Sequence, residues 1–198
     1  MQIHSFSQYA NAYLIDGTVL IDAGIDPAVI RGQDLEMIIL THCHFDHTCK
    51  APAIAEMTGA KIAIHEEDAL LLGDDLATVA VLFGKHAPEI TPDLLLHGGE
   101  TLEFDGFALE VIHTPGHTRG SISLYEPETR SLFSGDTIFP DGGIGRYDLG
   151  GDIAALVHSI ELLASLDVAV MYPGHLEVTD VDVPAQIRLS LEQARMLT

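Results

Sequence analysis

Between His42 and His47 the chain reads H-C-H-F-D-H, three histidines and one aspartate within six positions. An apolar run, Met37–Leu40, leads into it, and in an extended chain alternate residues share a face, so His42 and His44 can point to one spot. The chain then turns toward a helix, which lets Asp46 and His47 aim at a neighbouring spot. Neutral imidazoles and carboxylates suit zinc, non-haem iron and manganese. A lone histidine is ordinarily just a polar side chain; three of them beside an aspartate at this spacing point to a metal. Three later turns repeat the theme: T-P-G-H ending at His117, S-G-D-T around Asp136, and Y-P-G-H ending at His175. Each follows an apolar strand and sets its polar residue beside Gly or Pro, a tight-turn geometry that exposes a side chain at a sheet edge.

The elements that must position these residues alternate in type. Strands are expected at Ala12–Asp16, Val19–Asp22 and Met37–Leu40, with Gly17 in the first turn. A helix is expected over Thr48–Met57, closed by Gly59. Lys61–Ile64 reads as a strand and His65–Leu72 as a short helix. Gly73–Pro92 has no clear pattern, although Leu76–Phe83 has helical character and the whole stretch could act as a flap. Phe107–His113, Ser121–Tyr125 and Ser131–Ser134 read as consecutive strands, followed by a glycine-rich loop, Asp141–Gly151. Asp152 then caps a helix whose Ile153, Leu156, Val157, Ile160 and Leu163 recur at helical spacing. Val168–Tyr172 reads as a strand, and Pro184–Leu197 as a final amphipathic helix. Interleaving of this kind argues for layered α/β packing in a single domain.

Taken in this order, the motifs resemble the metallo-β-lactamase fold family over essentially the whole chain. The resemblance implies an α/β (α+β) fold, a four-layer αβ/βα sandwich built as one domain over 1–198, with metals at one edge. Carried over by motif, one ion would be held by His42, His44 and His117, and the other by Asp46, His47 and His175. Asp136 would bridge the two. All seven positions hold the expected residue types, so the implied cofactors are two divalent ions per chain, zinc first, with iron or manganese compatible. Within the family, Gly145-Arg146-Tyr147-Asp148 after Ser134-Gly135-Asp136-Thr137 resembles the G-R-x-D signature of the glyoxalase II branch, and most of all its short bacterial and archaeal members.

That branch implies hydrolysis of a thioester such as a hydroxyacylglutathione, or of an ester, by a metal-bridging hydroxide. Asp46 would orient the nucleophile and accept its proton, and a thiolate leaving group needs little acid assistance, its conjugate acid having a pKa of about 8.5. Arg146, Tyr147 and Arg119 are candidate substrate contacts; Arg146 and Asp148 read equally well as an ion pair tying the loop down. Full-length glyoxalase II enzymes carry a further C-terminal helical region that helps bind glutathione, and only one helix follows His175 here. The rival reading is a persulfide dioxygenase, similar around the same motifs, with one iron on His42, His117 and Asp136. The true β-lactamases of the family lack the G-R-x-D loop, which argues against antibiotic hydrolysis as a main role.

Other residues carry weaker signals. Asp22, closing the strand before Ala23-Gly24, is placed to hydrogen-bond a ligand histidine. His113 reads as a strand residue near the His117 turn, and Cys43 as packing between two ligands. With 9 basic residues against 30 acidic ones, a formal net charge of −21, the surface repels nucleic acid and anionic membranes. The expected partner is therefore a small-molecule substrate. No spanning helix or export signal is evident and the two cysteines suggest no oxidising compartment, so a cytoplasmic setting is expected.

Overall fold

The computed structural model describes residues 1–198 and resolves two compact units, Met1–Leu96 and His97–Thr198. The first opens with strands β1 (Ile3–Ser7), β2 (Asn11–Ile15), β3 (Val19–Ile21) and β4 (Met37–Ile39). Asp16 and Gly17 turn the chain between β2 and β3 with φ of 46° and 75°, a left-handed backbone that Asp and Gly tolerate best. Helices α1 (Phe45–Thr48) and α2 (Ala51–Thr58) follow, then β5 (Lys61–His65), α3 (Glu66–Ala69) and β6 (Leu94–Leu96). The six strands form one sheet in the order β1-β2-β3-β4-β5-β6. Pairing is antiparallel through β3 and parallel from β3 to β6. Its core gathers Leu14, Leu20, Ile38, Ile62 and Ile64 from the strands and Leu40 just beyond β4, with Ala51 and Ile54 from α2.

Two expectations for this unit change. The helix expected over Thr48–Met57 is two helices broken at Cys49 and Lys50, because Pro52 lies in the first turn of α2 and a proline starts a helix more readily than it continues one. Gly59 caps α2 at φ 80°. The helical reading of Leu76–Phe83 shrinks to one 3-10 turn at Ala80–Phe83, entered through Val79 at φ 55°. Strands β1 and β6 went unassigned in the sequence. Both show solvent on several positions and lie at the two edges of the sheet, so neither has a full apolar pattern.

The second unit holds β7 (Thr101–Phe104), β8 (Phe107–His113), β9 (Ile122–Glu126) and β10 (Ser131–Gly135). A small hairpin, β11 (Ile138–Phe139) with β12 (Gly143–Ile144), precedes α4 (Ile153–Leu163), β13 (Val170–Pro173) and α5 (Val183–Arg195). The main sheet runs β13-β10-β9-β8-β7, with β13 parallel to β10 and the rest antiparallel. Asp152 caps α4 by accepting Ala155 N–H at 2.8 Å. The apolar stripe read from α4 is buried at Leu156, Ile160 and Leu163, against Leu132 and Met171 of the sheet and Ile187 of α5. Pro184 sits in the first turn of α5, as expected. The strand expected at Val168–Tyr172 starts later, at Val170, and β7 was unassigned because it alternates exposed and half-buried residues at the sheet edge. No helix is long and apolar enough to cross a membrane.

Candidate metal centre

In the first unit the parallel strands β3 and β4 end side by side, and their following residues build half of the candidate site. Ile39 pairs with Ile21, so Asp22 and the Leu40–Thr41 step emerge together. Asp22 N–H donates to the Ile39 carbonyl at 2.9 Å. The Asp22 side chain, 2% exposed, then accepts Thr41 N–H at 2.8 Å and Thr41 Oγ1–H at 2.9 Å. It also receives His47 Nδ1 at 2.8 Å. His42, His44 and His47 are all buried. The His42 ring lies 4.7 Å from that of His44, at 81°, and 4.1 Å from that of His47. His47 Nε2 faces Asp46 Oδ2 at 3.8 Å. The His42 and His44 rings meet at a bend and not along the expected extended strand: β4 ends at Ile39 and the chain bends over Thr41–Cys43 before α1, which carries Asp46 and His47.

Proton bookkeeping identifies the nitrogen each ring offers. Thr41 has one hydroxyl proton and gives it to Asp22, so at 3.0 Å its oxygen accepts from His42 Nδ1–H. His47 Nδ1–H donates to the Asp22 carboxylate. In its neutral form each ring therefore presents Nε2, the arrangement in which a second partner fixes the tautomer of a metal-binding histidine. Cys43, between His42 and His44, is buried; burial pushes its thiol far up, with Asp68 adding to the effect.

The second unit brings its three predicted residues together. Asp136 follows β10, His117 lies in the turn after β8, and His175 follows β13, the parallel neighbour of β10. Gly174 N–H donates to the Gly135 carbonyl at 2.8 Å, which docks the Tyr-Pro-Gly-His turn beside Asp136. Asp136 Oδ2 stands 3.4 Å from His175 Nε2 and 3.6 Å from His117 Nε2, one carboxylate between two imidazoles. His117 Nδ1 meets the Arg146 carbonyl at 2.6 Å. A carbonyl only accepts, so Nδ1 carries a proton, and the neutral ring offers Nε2 to an ion.

Several supports escaped sequence reasoning. Buried hydroxyls link the His117 and Asp136 turns: Thr137 Oγ1 donates to Thr114 Oγ1 at 3.0 Å, and Thr114 contacts Ser123 Oγ at 3.2 Å. Ser123 in turn donates to the Ser134 carbonyl at 3.3 Å. Gly145, part of the supposed signature loop, is needed for close approach: a Cβ there would lie 1.9 Å from the Asp136 carbonyl oxygen. Gly24 does the same in the first unit, where a Cβ would lie 1.8 Å from the Asp46 carbonyl oxygen. Arg146 and Asp148 form a two-pronged ion pair at 3.0 and 2.7 Å, exposed to solvent, which raises the guanidinium pKa and lowers that of the carboxyl. Arg119 is exposed, Tyr147 is half-buried, and the Arg119 carbonyl accepts from His113 Nε2 at 2.8 Å, which makes His113 a clamp of its own turn.

A sequence profile of the metallo-β-lactamase superfamily matches residues 8–175. The chain belongs to this superfamily. Among curated relatives, the hydroxyacylglutathione hydrolase GloC of Haemophilus influenzae is 36% identical over 153 residues, covering 75% of this chain and 72% of its own. The crystal structure of a B3 metallo-β-lactamase, BLEG-1, superposes with a TM-score of 0.84 at 29% identity, each chain fully covered. A protein crystallised in a di-iron-bound form, TTHA1623, superposes with a TM-score of 0.76 at 33% identity, covering 98% of this chain and 97% of its own. The mixed α/β fold is that of the superfamily, whose members are generally metal-binding hydrolases. The histidine and aspartate side chains described above are of the kinds such a centre uses.

Proposed function

We propose that the chain is a binuclear metallohydrolase that cleaves thioesters of the hydroxyacylglutathione type, or related esters. His42, His44 and His117 would hold one ion and Asp46, His47 and His175 the other, with Asp136 shared between them. The observation that carries this reading is Asp136, set between His117 Nε2 at 3.6 Å and His175 Nε2 at 3.4 Å as a bridging carboxylate would be. It is supported by the fixed tautomers of His42, His47 and His117. Divalent ions bound there supply Lewis acidity and make water acidic near neutral pH.

The remaining work falls to the chain itself. Asp46, with its side chain 13% exposed beside buried histidines, can accept a proton from the attacking water and hold it in line. Asp22 and the Arg146 carbonyl keep His47 and His117 in the ligating tautomer. A thiolate departs without a general acid, which agrees with a site built of imidazoles and carboxylates alone. Arg119, two residues after His117, and Arg146 and Tyr147, from the loop whose Arg146 carbonyl meets His117 Nδ1, are the proposed contacts for an anionic substrate. Likeness to GloC favours hydroxyacylglutathione, and zinc is the expected metal, with the di-iron relative making iron a second occupant of the same donors.

The test is metal quantification on chelator-free protein together with hydrolysis of S-lactoylglutathione, a simple ester and a β-lactam. The expected result is two metal equivalents per chain and fastest turnover on the thioester, both lost in Asp136→Ala. One iron per chain with oxygen uptake on glutathione persulfide would replace this reading by a dioxygenase. Fastest turnover on the β-lactam would replace it by a lactamase.

A further inference from the structure

Asp68 lies in α3, with no solvent exposure. Its Oδ2 accepts the backbone N–H of Cys43 at 2.7 Å. Cys43 is the residue between His42 and His44, so its amide lies in the short backbone that joins two rings 4.7 Å apart. Two residues on, Phe45 N–H donates to the Thr78 carbonyl at 2.8 Å. Alternate amides of the histidine run are thus held from one stretch, 68–78, much of which has no regular structure of its own. The chain bends over Thr41–Cys43, so the relative direction of the His42 and His44 side chains is set by how this backbone is held, and the bond to the Cys43 amide is one of the restraints that holds it. An ionised acceptor makes a shorter and stronger bond than a neutral one, and so a stiffer one.

We propose that Asp68 is a positioning residue of the metal centre: it holds the Cys43 peptide in the orientation that lets His42 and His44 ligate the same ion. The proposal rests on the metal reading above but not on the substrate. It differs from the Asp22 contact because Asp68 touches no ligand side chain in this bond; it acts on the backbone that spaces two of them.

Metal-free wild type, Asp68→Asn and Asp68→Ala are titrated with Co2+, followed by its visible d–d bands and by competition with a chelator. Folding is checked by circular dichroism. Asp68→Ala should bind on the order of ten- to a hundredfold more weakly, with altered bands, as losses of outer partners of metal ligands do. Asp68→Asn keeps the volume and a neutral acceptor, and should lose only about fivefold. Folded Asp68→Ala with wild-type affinity and bands would overturn the proposal. Should that variant fail to fold, the isosteric Asp68→Asn decides, and wild-type affinity with unchanged bands in it is equally fatal. Wild type that takes up no Co2+ defeats the metal centre and Asp68's role together, whereas Co2+ uptake without thioester cleavage defeats only the substrate reading.

Discussion

Replacing Asp22 separates fold support from metal support in a single side chain. Its carboxylate accepts from Thr41 N–H, Thr41 Oγ1–H and His47 Nδ1–H at 2.8, 2.9 and 2.8 Å, at 2% exposure. In Asp22→Ala all three donors lose their acceptor, at about 1–3 kcal/mol for each buried group left unsatisfied. The backbone at φ 60° is also left-handed, which alanine tolerates less well than aspartate. Water entering the hole and rotation of the Thr41 hydroxyl offset part of this, so a loss of about 3–6 kcal/mol is expected, a large share of the roughly 5–15 kcal/mol of a typical domain. Asp22→Asn is the sharper probe, since it keeps shape and backbone preference. Its single carbonyl oxygen can serve Thr41 N–H, which cannot change sign, or His47, which can. The lower-energy choice points the amide NH2 at His47 Nδ1, and the ring answers by moving its proton to Nε2, the atom the metal needs. Asp22→Asn should therefore lose only about 1–2 kcal/mol in urea unfolding while its affinity for the ion at His47 falls at least about tenfold. Unfolding curves, chelator competition and nitrogen chemical shifts of the His47 ring measure the three quantities. An Asn variant with wild-type metal affinity and Nδ1–H still on His47 would refute the proton bookkeeping; an Ala variant as stable as wild type would refute the energetics.

Other expectations follow from the same geometry. Gly145→Ala places a Cβ 1.9 Å from the Asp136 carbonyl, so it should cost about 2–4 kcal/mol and lower metal content; unchanged stability and metal content would show that the loop relaxes without moving Asp136. Burial pushes both Cys43 and Cys49 thiols up, so in native protein at pH 8 alkylation should be slow at Cys49 and slower still at buried Cys43, and rapid at both after denaturation, read by mass spectrometry. Arg146 holds the Asp148 carboxyl below its ordinary value, so that pair contributes above the unfolded carboxylate pKa of about 3.9 and is lost as pH falls through the lower folded value. A carbon-detected NMR titration should find the Asp148 midpoint moved up in Arg146→Ala; no movement would remove the ion pair from the account. Being solvent-exposed, the same variant should leave the unfolding midpoint near wild type.

Much of the site was legible because its residues are grouped locally. The H-C-H-F-D-H run carries its donors locally, and a helical turn redirects Asp46 and His47, but His42 and His44 meet at a bend over Thr41–Cys43 that the alternation rule does not describe. His117, Asp136 and His175 announced themselves by strand-then-turn contexts, and the α4 stripe by a period that only a helix satisfies. Edge strands β1, β6 and β7 were not legible, because an edge exposes alternate residues and blurs the apolar pattern. Pro52 favours a helix start over a helix interior, which is why the helix expected over Thr48–Met57 splits after Thr48.

What the sequence by itself determined is the chemistry on offer: imidazoles and carboxylates in number and order, on a strongly acidic chain. Tertiary structure decided which nitrogen each imidazole presents. That choice depends on what sits at Nδ1, and the partners come from far along the chain, Asp22 for His47 and the Arg146 carbonyl for His117. It also decided that Gly145 and Gly24 serve as close-contact points behind Asp136 and Asp46, and that Asp68 reaches the Cys43 amide. No local pattern encodes such contacts, because they arise only when β3 is laid beside β4, α3 under the histidine run, and the glycine loop against the Asp136 turn.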